Sequence, residues 1–189
     1  MIVASPADRA SAPEPTVFAA WAVPDLGELR LGVATDGSLR TWWDDAPPRD
    51  VVPPETLDPT CRDTVGEALR RAADALSGYF GGTSWSFHGI PTPSGPDFHA
   101  RCWEACRGVP AGETCTYAAL AVAAGGRRVA ARAAGQAMRR NPLPVIVPCH
   151  RVVGGDGRLH GYAGSTRVAD RPLRRKRWLL AREAAGICS

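Results

Sequence analysis

The chain has 189 residues, enough for one large domain or two small ones around a sizeable core. Hydrophobic residues make up 44% and charged residues 22%, the usual balance of a soluble globular protein, and no apolar run is long enough to span a bilayer. The start, MIVASPADRASAPEP, lacks the charged and apolar segments of a signal peptide. We therefore expect residues 1–15 to form a disordered tail on a cytoplasmic protein that does not enter a membrane.

Charge is unevenly distributed along the chain. The first 96 residues carry 7 arginines and 13 acidic residues, a net charge of −6, whereas the remainder carries a net charge of +10. Lys176 is the sole lysine, so arginine supplies nearly all of the positive charge. A basic half of this kind is typical of a region that contacts a polyanion, and guanidinium groups suit phosphate recognition. A solvated basic face without a partner is the alternative.

The N-terminal half predicts a small antiparallel sheet followed by one helix. Apolar and polar residues alternate from Val17 to Trp43 around the turn signal Asp36-Gly37. A proline-rich connector follows from Pro47 to Pro59. A helix that ends at Gly81-Gly82 comes next, and its apolar face repeats with a helical period at Val65, Leu69, Ala72, Leu76 and Phe80.

The stretch HGIPTPSGP, residues 88–96, has the composition of a linker. We place a domain boundary there, which predicts an N-terminal domain over residues 16–90 and a C-terminal domain over residues 91–189. The predicted fold class is mixed α/β (α+β). It combines a small N-terminal antiparallel sheet-plus-helix domain with a mainly helical C-terminal domain.

Beyond the linker, the pattern predicts three helices. Asp97 is a candidate N-cap for the first, which carries Phe98, Cys102, Trp103 and Cys106. A short helix from Tyr117 to Ala124 ends at Gly125-Gly126, and another runs from about Arg127 to Arg139. Two short helices separated by glycine are typical of a helix-turn-helix, although alanine-rich helices of this length are also common packing units. The second helix concentrates positive charge at Arg127, Arg128, Arg132, Arg139 and Arg140.

The cysteines show neither a disulfide framework nor a metal-binding spacing. There are six: Cys61, Cys102, Cys106, Cys115, Cys149 and Cys188. A cytoplasmic chain keeps its thiols reduced, and no CxxC or HxxxH pair is present. The spacing of Cys102 and Cys106 fits one buried helix face better than a zinc site. We expect no metal.

An apolar run, PVIV, leads directly into Cys149, His150 and Arg151. A thiol becomes a strong nucleophile as its thiolate, a form that an adjacent base or positive charge favours. His150 and Arg151 supply one candidate of each kind. We expect PVIV to be a hydrophobic strand that aims these side chains at one place, with an inert buried cysteine as the alternative.

The unbroken run AARAAGQAMRRNPLPVIVPCHRVV, followed by GYAG and RWLLAREAAG, resembles the O6-alkylguanine-DNA alkyltransferase family. The resemblance covers Asp97 to Gly186, and PCHRV is its most specific motif. It implies a methylated-DNA–[protein]-cysteine S-methyltransferase that flips the damaged base, transfers an alkyl group to its own cysteine once, and needs no cofactor. It also implies a monomer acting on double-stranded DNA that carries O6-alkylguanine, with O4-alkylthymine as a second candidate lesion. Such a protein would associate with the nucleoid in a prokaryote.

The resemblance assigns a role to each matching residue. Cys149 is the alkyl acceptor and His150 is its base, acting through a water, while Glu183 holds and polarises the histidine. Asn141 ties together the turn before the active-site strand. Tyr117 contacts the backbone phosphate and the flipped base.

By the same resemblance, Arg132 would enter the base stack where the guanine leaves. Further contacts to DNA are expected from Arg128, Arg139 and Arg151. The guanine pocket is expected to be lined by Met138, Val152, Tyr162, Ala163 and Gly164.

The chain departs from the family pattern in places. The turn GGRRVAAR is one residue longer than usual, Arg140 replaces a frequent glycine, and Ser165 to Arg171 form an extra segment. The run Arg174 to Arg177 is expected to extend the basic surface.

Three other classes of protein are alternatives. Alkyltransferase-like proteins bind lesions without transfer and have tryptophan where this chain has Cys149. A helix-turn-helix transcription factor would not need PCHRV or a matched Glu183. A cysteine hydrolase would turn over repeatedly, which distinguishes it from a single-use acceptor.

Overall fold

The structure, a computed structural model, describes residues 16–159, 161–162 and 170–187. Its N-terminal part is an antiparallel sheet with a central strand β2, flanked by β1 and β3 and joined at one end by the short β4. The strands are β1 (Ala19–Val23), β2 (Gly27–Ala34), β3 (Leu39–Trp43) and β4 (Val51–Val52). The Asp36-Gly37 turn joins β2 to β3, with Gly37 at a φ of 78° that glycine adopts without strain. The predicted antiparallel sheet and the mixed fold class are confirmed.

One long helix, α1 (Pro59–Gly81), packs on this sheet. Asp58 caps its start by accepting a hydrogen bond from the Thr60 amide over 2.8 Å, and Gly82 ends it in the left-handed conformation. The predicted helix end and apolar face are confirmed, and Tyr79 adds to that face beside Phe80, which packs against the core. Tyr79 is fully buried there, whereas Phe80 is half-buried. The predicted connector is corrected, because it contains β4 and a 3₁₀ turn, Pro54–Thr56.

The C-terminal part is mainly helical. Its helices are α2 (Asp97–Arg107), α3 (Tyr117–Ala123), α4 (Ala131–Arg139) and α5 (Arg171–Ile187). Pro96, not Asp97, is the N-cap of α2, since Asp97 is already helical. The predicted helix from Arg127 is shorter than expected, because a 3₁₀ turn at Arg128–Ala130 precedes α4. No helix in the described ranges is long and apolar enough to cross a membrane.

The apolar run before Cys149 is a turn, which corrects the predicted strand. Val145 has a φ of 77°, a strained conformation for a β-branched residue. Prolines at 142, 144 and 148 remove the amide donors that a strand ladder needs. A 3₁₀ turn, Cys149–Arg151, follows, and the chain then enters the short strand β6 (Val152–Val153), which pairs in parallel with β5 (Cys115–Thr116).

Helix α5 is anchored to the N-terminal sheet by Arg175. This side chain is 1% exposed; its guanidinium contacts Asp44 at 2.9 Å and Asp45 at 2.6 Å and donates to the Leu26 carbonyl. Lys176 is also buried. The expectation that the whole run Arg174 to Arg177 extends a basic surface is therefore wrong, since half of it is internal.

Candidate active site

Cys149 lies in the buried 3₁₀ turn between the strained loop and β6. It is 7% exposed, and its amide donates to the Val147 carbonyl over 2.8 Å. Asn141 braces this loop: its side-chain amide donates to the same carbonyl at 2.8 Å, and its oxygen accepts from the Leu143 amide at 2.9 Å. The Asn141-Pro142 turn therefore holds together the loop that leads to the thiol.

The N-terminal sheet supports the same loop from the other side. The amide of Thr41 in β3 donates to the Pro142 carbonyl at 3.1 Å, and the Thr41 hydroxyl donates to the Pro144 carbonyl at 2.8 Å. Thr41 is buried. Because both bonds lie just before Cys149, the position of the thiol depends on the N-terminal region as well as on its own.

The surroundings of Cys149 act on its ionisation in opposite directions. Burial raises the pKa of the thiol, whereas Asn141, Lys176 and Tyr162 favour the thiolate and reduce that rise. A thiol with a raised pKa is mostly protonated at neutral pH, so it needs a base to become a nucleophile.

His150 is the nearest such base in sequence, and it is completely buried. Its Nε2 lies 2.7 Å from Glu183 Oε1. Burial lowers the pKa of His150, and it does so against the opposing effect of Glu183. A neutral imidazole that donates from Nε2 leaves Nδ1 as an acceptor. Nδ1 is buried and has no hydrogen-bond partner among the described residues.

Glu183 of α5 is a buried carboxylate with several donors. It accepts from His150, from Arg151 at 2.9 and 3.0 Å, from the Gly112 amide at 3.2 Å and from the Tyr79 hydroxyl at 2.8 Å. Burial alone would raise the pKa of Glu183, but hydrogen bonds from His150 and Arg151 and the positive charge of Arg151 hold it well below its usual range. The carboxylate is therefore charged at neutral pH and fixes the ring of His150.

The structure corrects the predicted role of Arg151. Its guanidinium is 4% exposed, pairs with Glu183 and donates to the Val109 carbonyl over 2.6 Å. These contacts leave it inside the protein and not on a surface that reaches DNA. Arg151 instead balances the buried charge of Glu183.

Lys176 is a site residue that the sequence analysis missed. Its ammonium is fully buried and donates to the carbonyls of Val152 at 2.6 Å and Gly161 at 3.2 Å. Burial lowers its pKa, and the nearby Cys149 opposes that shift. The one feature of the sequence that could have drawn attention to Lys176 is that it is the sole lysine in an arginine-rich chain.

The predicted pocket residues that the structure describes are all buried. Met138, Val152 and Tyr162 belong to the same buried cluster as Cys149. The Tyr162 hydroxyl lies near the thiol and near the indole of Trp43, another residue that was not predicted. The Tyr162 hydroxyl and the indole nitrogen of Trp43 are both buried without a hydrogen-bond partner in the described part of the chain. Ala163, Gly164 and residues 165–169 of the extra segment lie outside the described residues, as does the predicted tail.

The helix-turn-helix presents the predicted arginines to solvent. Helices α3 and α4 pack together, and exposed side chains occur at Arg127, Arg128, Arg132, Arg139 and Arg140. Tyr117, the first residue of α3, is half-buried, and burial raises the pKa of its hydroxyl to about 12. Its ring lies 5.9 Å from the Lys176 ammonium, which links the helix-turn-helix to the surroundings of Cys149.

Among the described residues, no group of three or more His, Cys, Asp or Glu side chains could hold a metal ion. The cysteines at 61, 102, 106, 115 and 149 are free thiols. Burial raises the pKa of both Cys102 and Cys106, whose side chains pack in the core. These thiols are therefore protonated, and neither has a histidine as its neighbour in the sequence, as Cys149 has in His150.

Known proteins are similar to this chain in sequence and in fold. Residues 97–185 match the family model of the 6-O-methylguanine DNA methyltransferase DNA-binding domain. A methylated-DNA–protein-cysteine methyltransferase of Methanosarcina barkeri is 46% identical over 54% of this chain and 64% of its own length. A constitutive one of Bacillus subtilis is 43% identical over 51% of this chain and 58% of its own length. The matched parts thus span less than two thirds of these two relatives.

Solved structures extend the likeness to the N-terminal region. The crystal structure of the Mycobacterium tuberculosis O6-methylguanine methyltransferase is 33% identical, with a TM-score of 0.63, over 88% of this chain and 91% of that one. A structure of the Mycobacterium tuberculosis OGT in complex with DNA has a TM-score of 0.67 at 31% identity, over 88% and 92% of the two chains. On this likeness in sequence, fold and length, the chain belongs to the O6-methylguanine-DNA methyltransferase family.

Proposed function

We propose that this protein repairs DNA by transferring the methyl group of O6-methylguanine to Sγ of Cys149. One observation carries the proposal: a buried Cys149 sits beside His150, which is bound to an ionised Glu183, and next to a helix-turn-helix with exposed arginines. Relatives named methylated-DNA–protein-cysteine methyltransferase, and a related protein solved with DNA, support the same activity.

The chemistry follows from the protonation states. His150 takes the proton of the Cys149 thiol through a water, as the family resemblance implies, and Nδ1, which has no hydrogen-bond partner among the described residues, can accept it. The thiolate forms a bond to the methyl carbon while the bond from that carbon to O6 breaks, and the electron pair passes to the guanine. Tyr117 keeps its proton at neutral pH, since burial raises the pKa of its hydroxyl to about 12. It can therefore donate a hydrogen bond to the developing guanine anion.

The reaction should occur once per molecule. The product is a thioether, and a carbon–sulfur bond of this kind offers no easy route back to the thiol. Neither the transfer nor the proton movement calls for a cofactor. We accordingly propose a single-turnover protein. We also propose that it acts as a monomer, as the family resemblance implies.

Access to the thiol requires the base to leave the helix. Cys149 is 7% exposed, and the alkyl carbon of a paired guanine lies inside the duplex. Flipping costs a few kcal/mol, which phosphate contacts and a side chain filling the gap can offset. Arg132 is exposed on α4 and is our candidate for that side chain. We propose double-stranded DNA carrying O6-alkylguanine as the substrate, in the cytoplasm or on the nucleoid of a prokaryote.

The test is the intact mass of the protein after incubation with an excess of duplex DNA containing O6-methylguanine. We expect a gain of one methyl group per chain and no further gain with time. Cys149→Ala should abolish the gain while the variant still binds the duplex. Continued consumption of lesions beyond one per chain would contradict the proposal and favour a hydrolytic enzyme.

A further inference from the structure

A buried tyrosine of the N-terminal region reaches the glutamate of the site. Tyr79 lies near the end of α1 and is 0% exposed, and its hydroxyl donates to Glu183 Oε1 over 2.8 Å. His150 Nε2 lies 2.7 Å from the same oxygen. Of the donors to Glu183 in the described part of the chain, Tyr79 comes from the N-terminal region, and the others are His150, Arg151 and Gly112.

We propose that Tyr79 is a positioning residue for alkyl transfer, whose hydroxyl holds the Glu183 carboxylate in the orientation that presents Oε1 to His150. This proposal rests on the proposed function, because it names a role in that reaction. It makes the N-terminal region a contributor to the chemistry, through a hydrogen bond between residues 104 positions apart.

A second contact joins the end of α1, which carries Tyr79, to the turn of α5 that carries Glu183. Arg182 precedes Glu183 on α5, and its guanidinium donates to the carbonyls of Tyr79, at 3.3 Å, and of Phe80. The Tyr79 carbonyl also accepts from the Gly82 amide at 3.2 Å, and Arg182 adds a donor from α5 to this last turn, whose carbonyls lack the regular partners of a helix interior. The same turn of α5 therefore carries the carboxylate and holds the backbone of Tyr79, which keeps the hydroxyl and the carboxylate in register.

The hydroxyl can act only as a donor to this carboxylate. Burial, and then the negative charge of Glu183, raise the pKa of Tyr79 well above its usual value, so the phenol keeps its proton. A donor on Oε1 takes up part of the electron density that would otherwise attract a proton to His150. Tyr79 therefore helps to keep His150 neutral, the form that can accept the thiol proton.

Other groups around His150 act on the same ionisation. Burial lowers the pKa of His150 most, Glu183 raises it, and the positive charges of Arg151 and Lys176 lower it further. Removing the Tyr79 hydroxyl leaves those groups in place and strengthens only the attraction of Glu183 for a proton on His150. The expected direction is a rise in the pKa of His150.

The variant Tyr79→Phe isolates the hydroxyl from the ring. The ring contacts Phe80, Trp85 and Phe87 with centroids 5.4, 5.2 and 5.6 Å away, and phenylalanine preserves this packing. Phe87→Leu is the matched control, because it disturbs the same aromatic cluster and removes no donor to Glu183.

The experiment compares wild type, Tyr79→Phe and Phe87→Leu by two readouts across pH. One is the nitrogen chemical shift of the His150 ring in protein labelled at histidine, and the other is the rate of methyl transfer from O6-methylguanine duplex. For Tyr79→Phe we expect the His150 midpoint and the acid limb of the rate profile to move upward together, by on the order of half a pH unit. Because Glu183 loses a hydrogen bond that orients it toward His150, we also expect methyl transfer at neutral pH to slow by roughly threefold or more.

Phe87→Leu should lower the melting temperature and leave both midpoints at their wild-type values. Unchanged midpoints in Tyr79→Phe would overturn the proposal and leave the hydroxyl a purely structural link. The ring titration needs no substrate. If the wild-type protein transfers no methyl group, the proposed function is refuted. The shift of the His150 midpoint between wild type and Tyr79→Phe then still decides whether Tyr79 holds His150 neutral.

Discussion

Two groups of cationic side chains in the C-terminal region differ in burial. Arg151, Arg175 and Lys176 are 4% exposed or less, and each has carboxylate or carbonyl partners inside the protein. Those of the helix-turn-helix lie on the surface at Arg127, Arg128, Arg132, Arg139 and Arg140. The two groups have the same charge, so the difference in burial separates cations that organise the site from cations available to a polyanion.

The energetic consequences of losing a charge differ between the two groups. Breaking a buried ion pair leaves an uncompensated charge in a medium of low polarity, at a cost of about 3–5 kcal/mol. An exposed arginine contributes little to folding, because water and salt already screen its charge. Substitutions in the buried group should therefore affect stability and chemistry together, and those in the exposed group should affect DNA contacts alone.

The largest effect is expected from Glu183→Gln. This change leaves the Arg151 guanidinium without its carboxylate and weakens the hold on His150. We expect a loss of about 3–5 kcal/mol in the free energy of unfolding, with at least tenfold slower transfer at a temperature where the variant is folded. Denaturant unfolding measures the loss of stability, and single-turnover kinetics measure the rate of transfer. Glu113→Gln, at an exposed carboxylate, is the control; equal effects of the two variants would contradict the account.

The next effect concerns Arg132 and distinguishes DNA from a free base. Arg132→Ala should slow repair of duplex DNA by on the order of tenfold or more, because the vacated stack is no longer filled. Its reaction with free O6-benzylguanine should stay close to the wild-type rate, as should its melting temperature. Equal losses on both substrates would mean that Arg132 supports the pocket or the fold.

The smallest effect is on the salt dependence of DNA binding. Arg128→Ala and Arg139→Ala should each reduce the slope of log affinity against log salt concentration by about one, as expected for the loss of one phosphate contact. Fluorescence anisotropy with an undamaged duplex gives this slope. Arg49→Ala, at an exposed arginine of the N-terminal region, should leave it unchanged, and a slope unaltered in all three variants would exclude this surface.

The sequence predicted those features that depend on local patterns. Alternation around Asp36-Gly37 predicted the sheet, a helical period ending at Gly81-Gly82 predicted α1, and paired short helices predicted the helix-turn-helix. These patterns are local because a strand or helix buries one face at a fixed period. The family motif PCHRV directed attention to Cys149 and His150, which the structure places with Glu183.

Local patterns could not predict which charges are buried. Arg151 finds Glu183 across 32 positions, and Arg175 finds Asp45 across 130, so neither pairing leaves a trace in the adjacent residues. The strained turn at Val145 was equally hidden, since a β-branched residue normally favours a strand. Tyr79 was missed for the same reason, because its partner on α5 lies in the other half of the chain.

The most direct measurement of the central claim is to locate the transferred methyl group by peptide mass spectrometry after reaction with O6-methylguanine duplex. Besides Cys149, the buried cysteines Cys102 and Cys106 and the half-buried Cys115 serve as internal comparisons within the same molecule. Their pKa values are raised by burial as well, so a raised pKa alone does not single out Cys149. We predict the methyl group on Cys149 alone, since that thiol lies next to His150 in the site. Methylation of Cys102, Cys106 or Cys115 in place of Cys149 would contradict the account.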